Sequence, residues 1–93
     1  MTWAWDEEKN RANDRKHGLT FETAALVFDD PLAVMRPDPS TDEERWQTIG
    51  TIEGVVVFVV HTWADSADEP GRLISARLAN ACERKDYQDG NYS

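Results

Sequence analysis

An apolar run, Val55-Val56-Val57-Phe58-Val59-Val60, ends in His61-Thr62, and after a polar stretch the chain resumes as Arg72-Leu73-Ile74-Ser75-Ala76-Arg77. Read as neighbouring strands, these segments put a histidine and two arginines on one sheet, which is the material for chemistry on a phosphate. An imidazole takes or gives a proton near neutral pH, and a guanidinium offers phosphate oxygens a planar fork of donors. Two other places set cations beside useful neighbours. Arg45-Trp46 joins a cation to an indole that could stack on a base, and Arg15-Lys16-His17 stands just before Gly18. Each residue also has a purely structural alternative. His61 shares strand parity with Val55, Val57 and Val59, which suits an inert histidine at the edge of the core. Arg72 and Arg77 fall on opposite faces by the same parity, as solvated charges that discourage aggregation at a sheet edge. Trp46 would then be core, and Lys16 and His17 the partners of a helix dipole.

Charge narrows the choice. Against 18 Asp and Glu the chain has only 10 Lys and Arg, for a formal net charge of -8. Those bases are clustered, between Lys9 and Lys16 and again from Arg72 onward, with none between Gln47 and Gly71. A protein that grips nucleic acid along its length carries a positive stripe, so any RNA contact here must be local. The single Cys82 cannot form an internal disulfide, and no charged-then-apolar leader opens the sequence, so a reducing cytoplasm is the expected compartment. The longest apolar stretch is far short of the roughly 20 residues that cross a bilayer. No His/Cys spacing suggests zinc, and Asp42-Glu43-Glu44 lacks the glycine and alternating oxygens of a calcium loop, so neither metal nor cofactor is expected.

The elements that must position these groups follow from local patterns. The composition, 40% apolar with four Trp, gives enough core for one domain over residues 1–88 with a flexible tail at 89–93. Thr2 to Trp5 alternates as an edge strand. Asp6 caps a polar helix that ends at Gly18 and, with Ala12 as its only apolar interior residue, is expected to be held at its ends. Thr20 caps a second helix with an apolar stripe of Phe21, Ala24, Ala25 and Phe28, stopped by Asp29-Asp30-Pro31. Strands are expected over Leu32–Met35, Arg45–Ile52, Val55–Thr62 and Arg72–Leu78. Loops fall at Pro37–Glu44 and Ala64–Gly71, and a tight turn at Glu53-Gly54. Asn80 and Glu83 open a final helix as a capping box, ending near Gln88. The expected fold is α+β: a small antiparallel sheet of about four strands, with two N-terminal helices and one C-terminal helix on one face.

Whole stretches of the sequence resemble the BrnT family, the toxin half of a type II toxin–antitoxin pair. They are Trp5-Asp6-Glu7-Glu8-Lys9-Asn10-Arg11-Ala12-Asn13 with Arg15-Lys16-His17-Gly18, Phe21-Glu22 with Ala24-Ala25 and Val27-Phe28-Asp29-Asp30-Pro31, Glu44-Arg45-Trp46 with Ile49-Gly50, Val59-Val60-His61-Thr62, and Ile74-Ser75-Ala76-Arg77. The resemblance implies a RelE-like ribonuclease fold and a metal-independent endoribonuclease that slows translation. It also implies a BrnA-like ribbon-helix-helix antitoxin, through which the pair would reach operator DNA. In such an enzyme the RNA 2′-hydroxyl attacks the adjacent phosphate, which needs a base, cations for the phosphorane and an acid for the leaving oxygen. By residue type Arg77 and Arg45 are assigned to the phosphate, and His61 to proton transfer. Lys16 or His17 would be a second proton or phosphate group, and Arg72, Trp46 and Arg15 would bind RNA. The last helix departs from the family, with Leu78, Ala81, Cys82 and Asp86 where positive charge is typical, which implies an attenuated nuclease. A non-catalytic antitoxin-binding corepressor of the same fold is the alternative.

Overall fold

The computed structural model describes residues 3–39, 43–63 and 70–90. Thr2 of the expected edge strand, residues 40–42 with Asp42 of the acidic cluster, residues 64–69 of the long loop and the last three residues of the tail lie outside them.

One sheet organises the molecule, with strand order β1-β5-β4-β3-β2. Its strands are β1 (Trp3–Ala4), β2 (Val34–Pro37), β3 (Trp46–Ile52), β4 (Val55–His61) and β5 (Gly71–Leu78). From β2 to β5 every pairing is antiparallel, and Glu53 and Gly54, both at positive φ, close the β3–β4 hairpin in two residues. The sheet is nevertheless five-stranded and mixed rather than four-stranded and antiparallel, because β1 joins β5 in parallel with Trp3 opposite Gly71. No tight turn links these two strands, so nothing in the connection dictates their sense. Gly71 leaves room for the indole: a Cβ there would meet the Trp3 ring at 2.5 Å.

The helices α1 (Glu7–His17), α2 (Phe21–Ala24) and α3 (Ala81–Asp89) begin at the expected caps. The Asp6 carboxylate accepts from the Glu8 and Lys9 amides, the Thr20 hydroxyl accepts from Thr23, and Asn80 and Glu83 complete their capping box. Gly18 and Gly90 end α1 and α3 in the left-handed conformation. The second helix is only one turn of α-helix and tightens into a 3-10 segment, Ala25–Asp29, before Pro31.

Both faces of the sheet are covered, which corrects the expectation that all helices share one. Phe21, Ala24 and Val27 pack on Val57, Val59, Leu73 and Ala76. On the other face Tyr87 of α3 packs with Val34, Ile49, Val56, Phe58 and Val60. The reason lies in β4, where Val56, Phe58 and Val60 are as apolar as the residues between them, so neither face can be left to water. The polar α1 is docked through its middle rather than its ends. Ala12 is exposed, whereas Asn10 and Asn13 are buried. The Asn13 amide donates to the Ala76 carbonyl at 2.8 Å and accepts from the Ala76 N–H at 3.2 Å, and Asn10 accepts from the Phe21 N–H at 2.8 Å. Asn13 thus serves β5 as a one-residue strand partner.

Candidate functional site

A bulge in β5 decides which residues share a face. Val60 pairs with Ser75 but His61 with Leu73, so Ile74 is an extra residue. Leu73 and Ala76, three apart, therefore both enter the core under α1 and α2. Arg72 and Arg77, expected on opposite faces, consequently both project from the face on which α3 lies. The same alternation sends Arg45 and Gln47 to that face from β3, while Arg36 comes from β2, where it pairs with Gln47. Four arginines of an acidic protein are thus gathered on one side.

They form two groups. Glu43 Oε1 accepts from Arg72 Nη2 at 2.6 Å and from Arg45 Nε at 3.2 Å, so one carboxylate oxygen joins two guanidinium groups. Hydrogen bonds from Arg72 and Arg45 hold the Glu43 carboxyl below its ordinary range. In the second group Arg77 meets Glu83 fork to fork, at 2.8 and 2.9 Å, with its guanidinium 4.1 Å from the Phe58 ring centroid. Burial pushes the Glu83 carboxyl up, but the bonds from Arg77 and the Asn80 amide and the charge of Arg36 outweigh it and bring it below the usual value. Arg36 Nε donates to Gln47 Oε1 at 2.9 Å, and Gln47 Nε2 donates to Asp38 Oδ2 at 2.7 Å. Arg45 stands four positions before Ile49, which lies in register with Phe58 and Arg77. Arg45 and Arg77 are therefore about 13 Å apart along the strands.

The remaining expected site residues lie elsewhere. His61 projects from the opposite face and is 0% exposed. Its Nδ1 meets the Thr62 carbonyl at 3.1 Å and its Nε2 the Thr48 hydroxyl at 2.6 Å. A carbonyl only accepts, so Nδ1 carries the proton, and in the neutral ring that burial favours Nε2 accepts from the Thr48 hydroxyl. Burial holds its pKa below the ordinary imidazole value, and the bond to Thr62 only partly offsets this. Trp3, Phe28 and Trp63 surround the ring edge-on, at centroid distances of 5.2, 4.8 and 5.0 Å. Trp46 pairs with His61 and shares its face, so Arg45 and Trp46 diverge instead of clamping a base together. Arg15 and Lys16 are exposed and His17 half-buried at the end of α1, in the layer away from the arginines. Among the described residues no group of three or more His, Cys, Asp or Glu converges as a metal ligand set would.

Sequence reasoning missed Arg36, Glu43 and Glu83. Glu83 was legible as a capping residue, yet the same carboxylate also receives Arg77, and spacing alone does not show that second use. It also read Asp30 only as a helix stop. Asp30 in fact accepts from Thr51 N–H at 2.8 Å, Thr51 Oγ1 at 2.9 Å, Leu32 N–H at 2.9 Å and Tyr87 Oη at 2.6 Å, tying β3 and α3 to the turn before β2.

No curated protein matches the chain. A family model described as the ribonuclease toxin BrnT of a type II toxin–antitoxin system matches residues 5–83, a span that takes in Asp30 with Leu32 and Thr51, both arginine groups and the start of α3, but not Tyr87. The chain belongs to the BrnT family of ribonuclease toxins.

Proposed function

We propose that this protein is the toxin of a type II toxin–antitoxin pair, an endoribonuclease of RelE-like type that cuts messenger RNA without a metal and so slows translation. A BrnA-like ribbon-helix-helix antitoxin would neutralise it and carry the pair to operator DNA. The observation that supports this reading is the convergence of Arg36, Arg45, Arg72 and Arg77 on one sheet face of a chain whose net charge is -8. Local cation clusters of this kind suit phosphate far better than general nucleic-acid adhesion.

The two groups divide the work. Arg77, backed by Phe58, and Arg36 hold one stretch of RNA backbone, and Arg45 and Arg72 receive the scissile phosphate. When a phosphate takes the guanidinium donors, Glu43 loses the bonds that depress its pKa. A carboxylate freed in this way is a better base for the 2′-hydroxyl proton, and the leaving 5′-oxygen takes its proton from water. His61, neutral and enclosed on the opposite face, acts as a positioning residue that fixes the end of β4 next to β3 and β5.

Cleavage of a defined RNA by the purified chain in the presence of a metal chelator tests the reading. Arg45→Gln should slow cleavage about 100-fold, as expected when one charge-stabilising donor is removed, whereas Arg77→Gln should raise KM for RNA with a smaller effect on kcat. Glu43→Gln should lower kcat while leaving RNA affinity unchanged or tighter. Intact RNA at high concentrations of the unaltered chain would overturn the enzyme reading. One observation favours a second reading, the non-catalytic corepressor: Glu43 and Glu83 already occupy Arg45, Arg72 and Arg77. It predicts antitoxin-dependent operator binding with no effect of the chain on RNA.

A further inference from the structure

On the face opposite the arginines a cleft of about 500 Å³ runs beneath the 3-10 segment. Trp3, Phe28 and Trp63 form one wall, Thr48 lies on its floor, and Leu26 and Met35 stand at its mouth. Leu26 is 50% and Met35 40% exposed, and Leu32, 70% exposed, lies in the turn between them. So much accessible apolar surface in one place marks an interaction site more often than chance. The lining includes Asp29 and Asp30 and, among the described residues, no cation. Asp30 keeps its charge: burial alone would raise its pKa, but the bonds from Tyr87, Thr51 and Leu32 carry it down to about 2. Met35 belongs to β2, the outermost strand of the sheet, beyond which no further strand pairs among the described residues.

Resting on the toxin–antitoxin reading, we propose that this cleft is the anchoring site for the antitoxin. The occupant is a basic segment of that polypeptide, which seats an apolar side chain against Trp3, Phe28 and Trp63. The segment lays its backbone along the open edge of β2 and sets a Lys or Arg beside Asp29. Charge complementarity selects this occupant, because an anionic cleft on an anionic protein repels a second copy of the same chain and an RNA backbone alike. The cleft holds the partner on the side away from the arginine face, so it sets affinity, while any block of RNA entry comes from other parts of the antitoxin.

Calorimetric titration of the full chain with the antitoxin encoded beside its gene provides the test. Met35→Glu, Leu26→Glu and Asp29→Lys alter exposed positions and should each weaken binding at least tenfold, without changing RNA cleavage by the free toxin. Leu78→Glu, at a residue 57% exposed outside the cleft, should bind as the unaltered chain does. Tight binding of all three cleft variants would overturn the docking site while leaving the toxin–antitoxin reading intact, whereas failure of the unaltered chain to bind would overturn both. A dimer of the chain alone that Met35→Glu dissociates would make a second copy the occupant and overturn the proposal.

Discussion

A carboxylate that receives four hydrogen bonds, as Asp30 does, cannot take a proton without weakening them. Its pKa of about 2 lies below the ordinary 3.8, so its contribution to stability is fully present above the unfolded value and is lost as pH falls through the folded one. His61 acts in the same direction at higher pH: burial lowers its pKa from 6.5, so the unfolded chain binds the proton more readily and stability declines once pH drops below that value. Acid titration of unfolding free energy should therefore show two declines, one beginning near pH 6.5 and one between about pH 4 and pH 2. Asp30→Asn should shrink the second decline, to which the depressed carboxyls of Glu83 and Glu43 also contribute, and leave the first. A variant that keeps the lower decline in full would mean that other carboxylates carry it.

At the scale of elements, much was legible in the sequence. Every helix began at the cap read from it, because Asp6, Thr20 and Asn80 act on amides two or three residues away. What could not be read was non-local. Strand parity is reset by the bulge at Ile74, and nothing within Arg72 to Arg77 announces it, since the bulge exists only in the pairing with Val60 and His61. The parity rule therefore put Arg72 and Arg77 on opposite faces, although it placed His61 correctly beside Val57 and Val59, where it is buried; it was residue type alone that joined His61 to the arginines. The docking of α1 was hidden for the same reason, as an asparagine in a polar helix looks solvated until its partner, 63 residues along, is known. Asn13→Ala would strand the N–H and C=O of Ala76 in the core, a loss of about 2 to 4 kcal/mol for two buried backbone groups. A surface change such as Ala12→Ser should stay within about 0.5 kcal/mol. Denaturant midpoints of the two variants check this, and near-equal values would show α1 to be held by other contacts.

For the molecule as a whole, net charge and local charge act against each other. Long-range repulsion between RNA and an anionic body slows encounter, while the arginine face attracts at short range. Such binding depends on few phosphates and so should respond weakly to salt. With two to four contacts to a single strand, the slope of log affinity against log salt is about -1.4 to -2.8, from roughly 0.7 per phosphate. Each of Arg36→Gln, Arg45→Gln, Arg72→Gln and Arg77→Gln that removes a contact should make the slope shallower by about 0.7, whereas Lys16→Gln, in the layer on the other side of the sheet, should leave it unchanged. A slope much steeper than -2.8 would require cations beyond these four. Further cations stand on α1 and, as Arg84 and Lys85, on α3. A steep slope that Arg15→Gln and Lys16→Gln flatten would therefore move the RNA path to the opposite face of the sheet, whereas one that Arg84→Gln and Lys85→Gln flatten would extend it along α3.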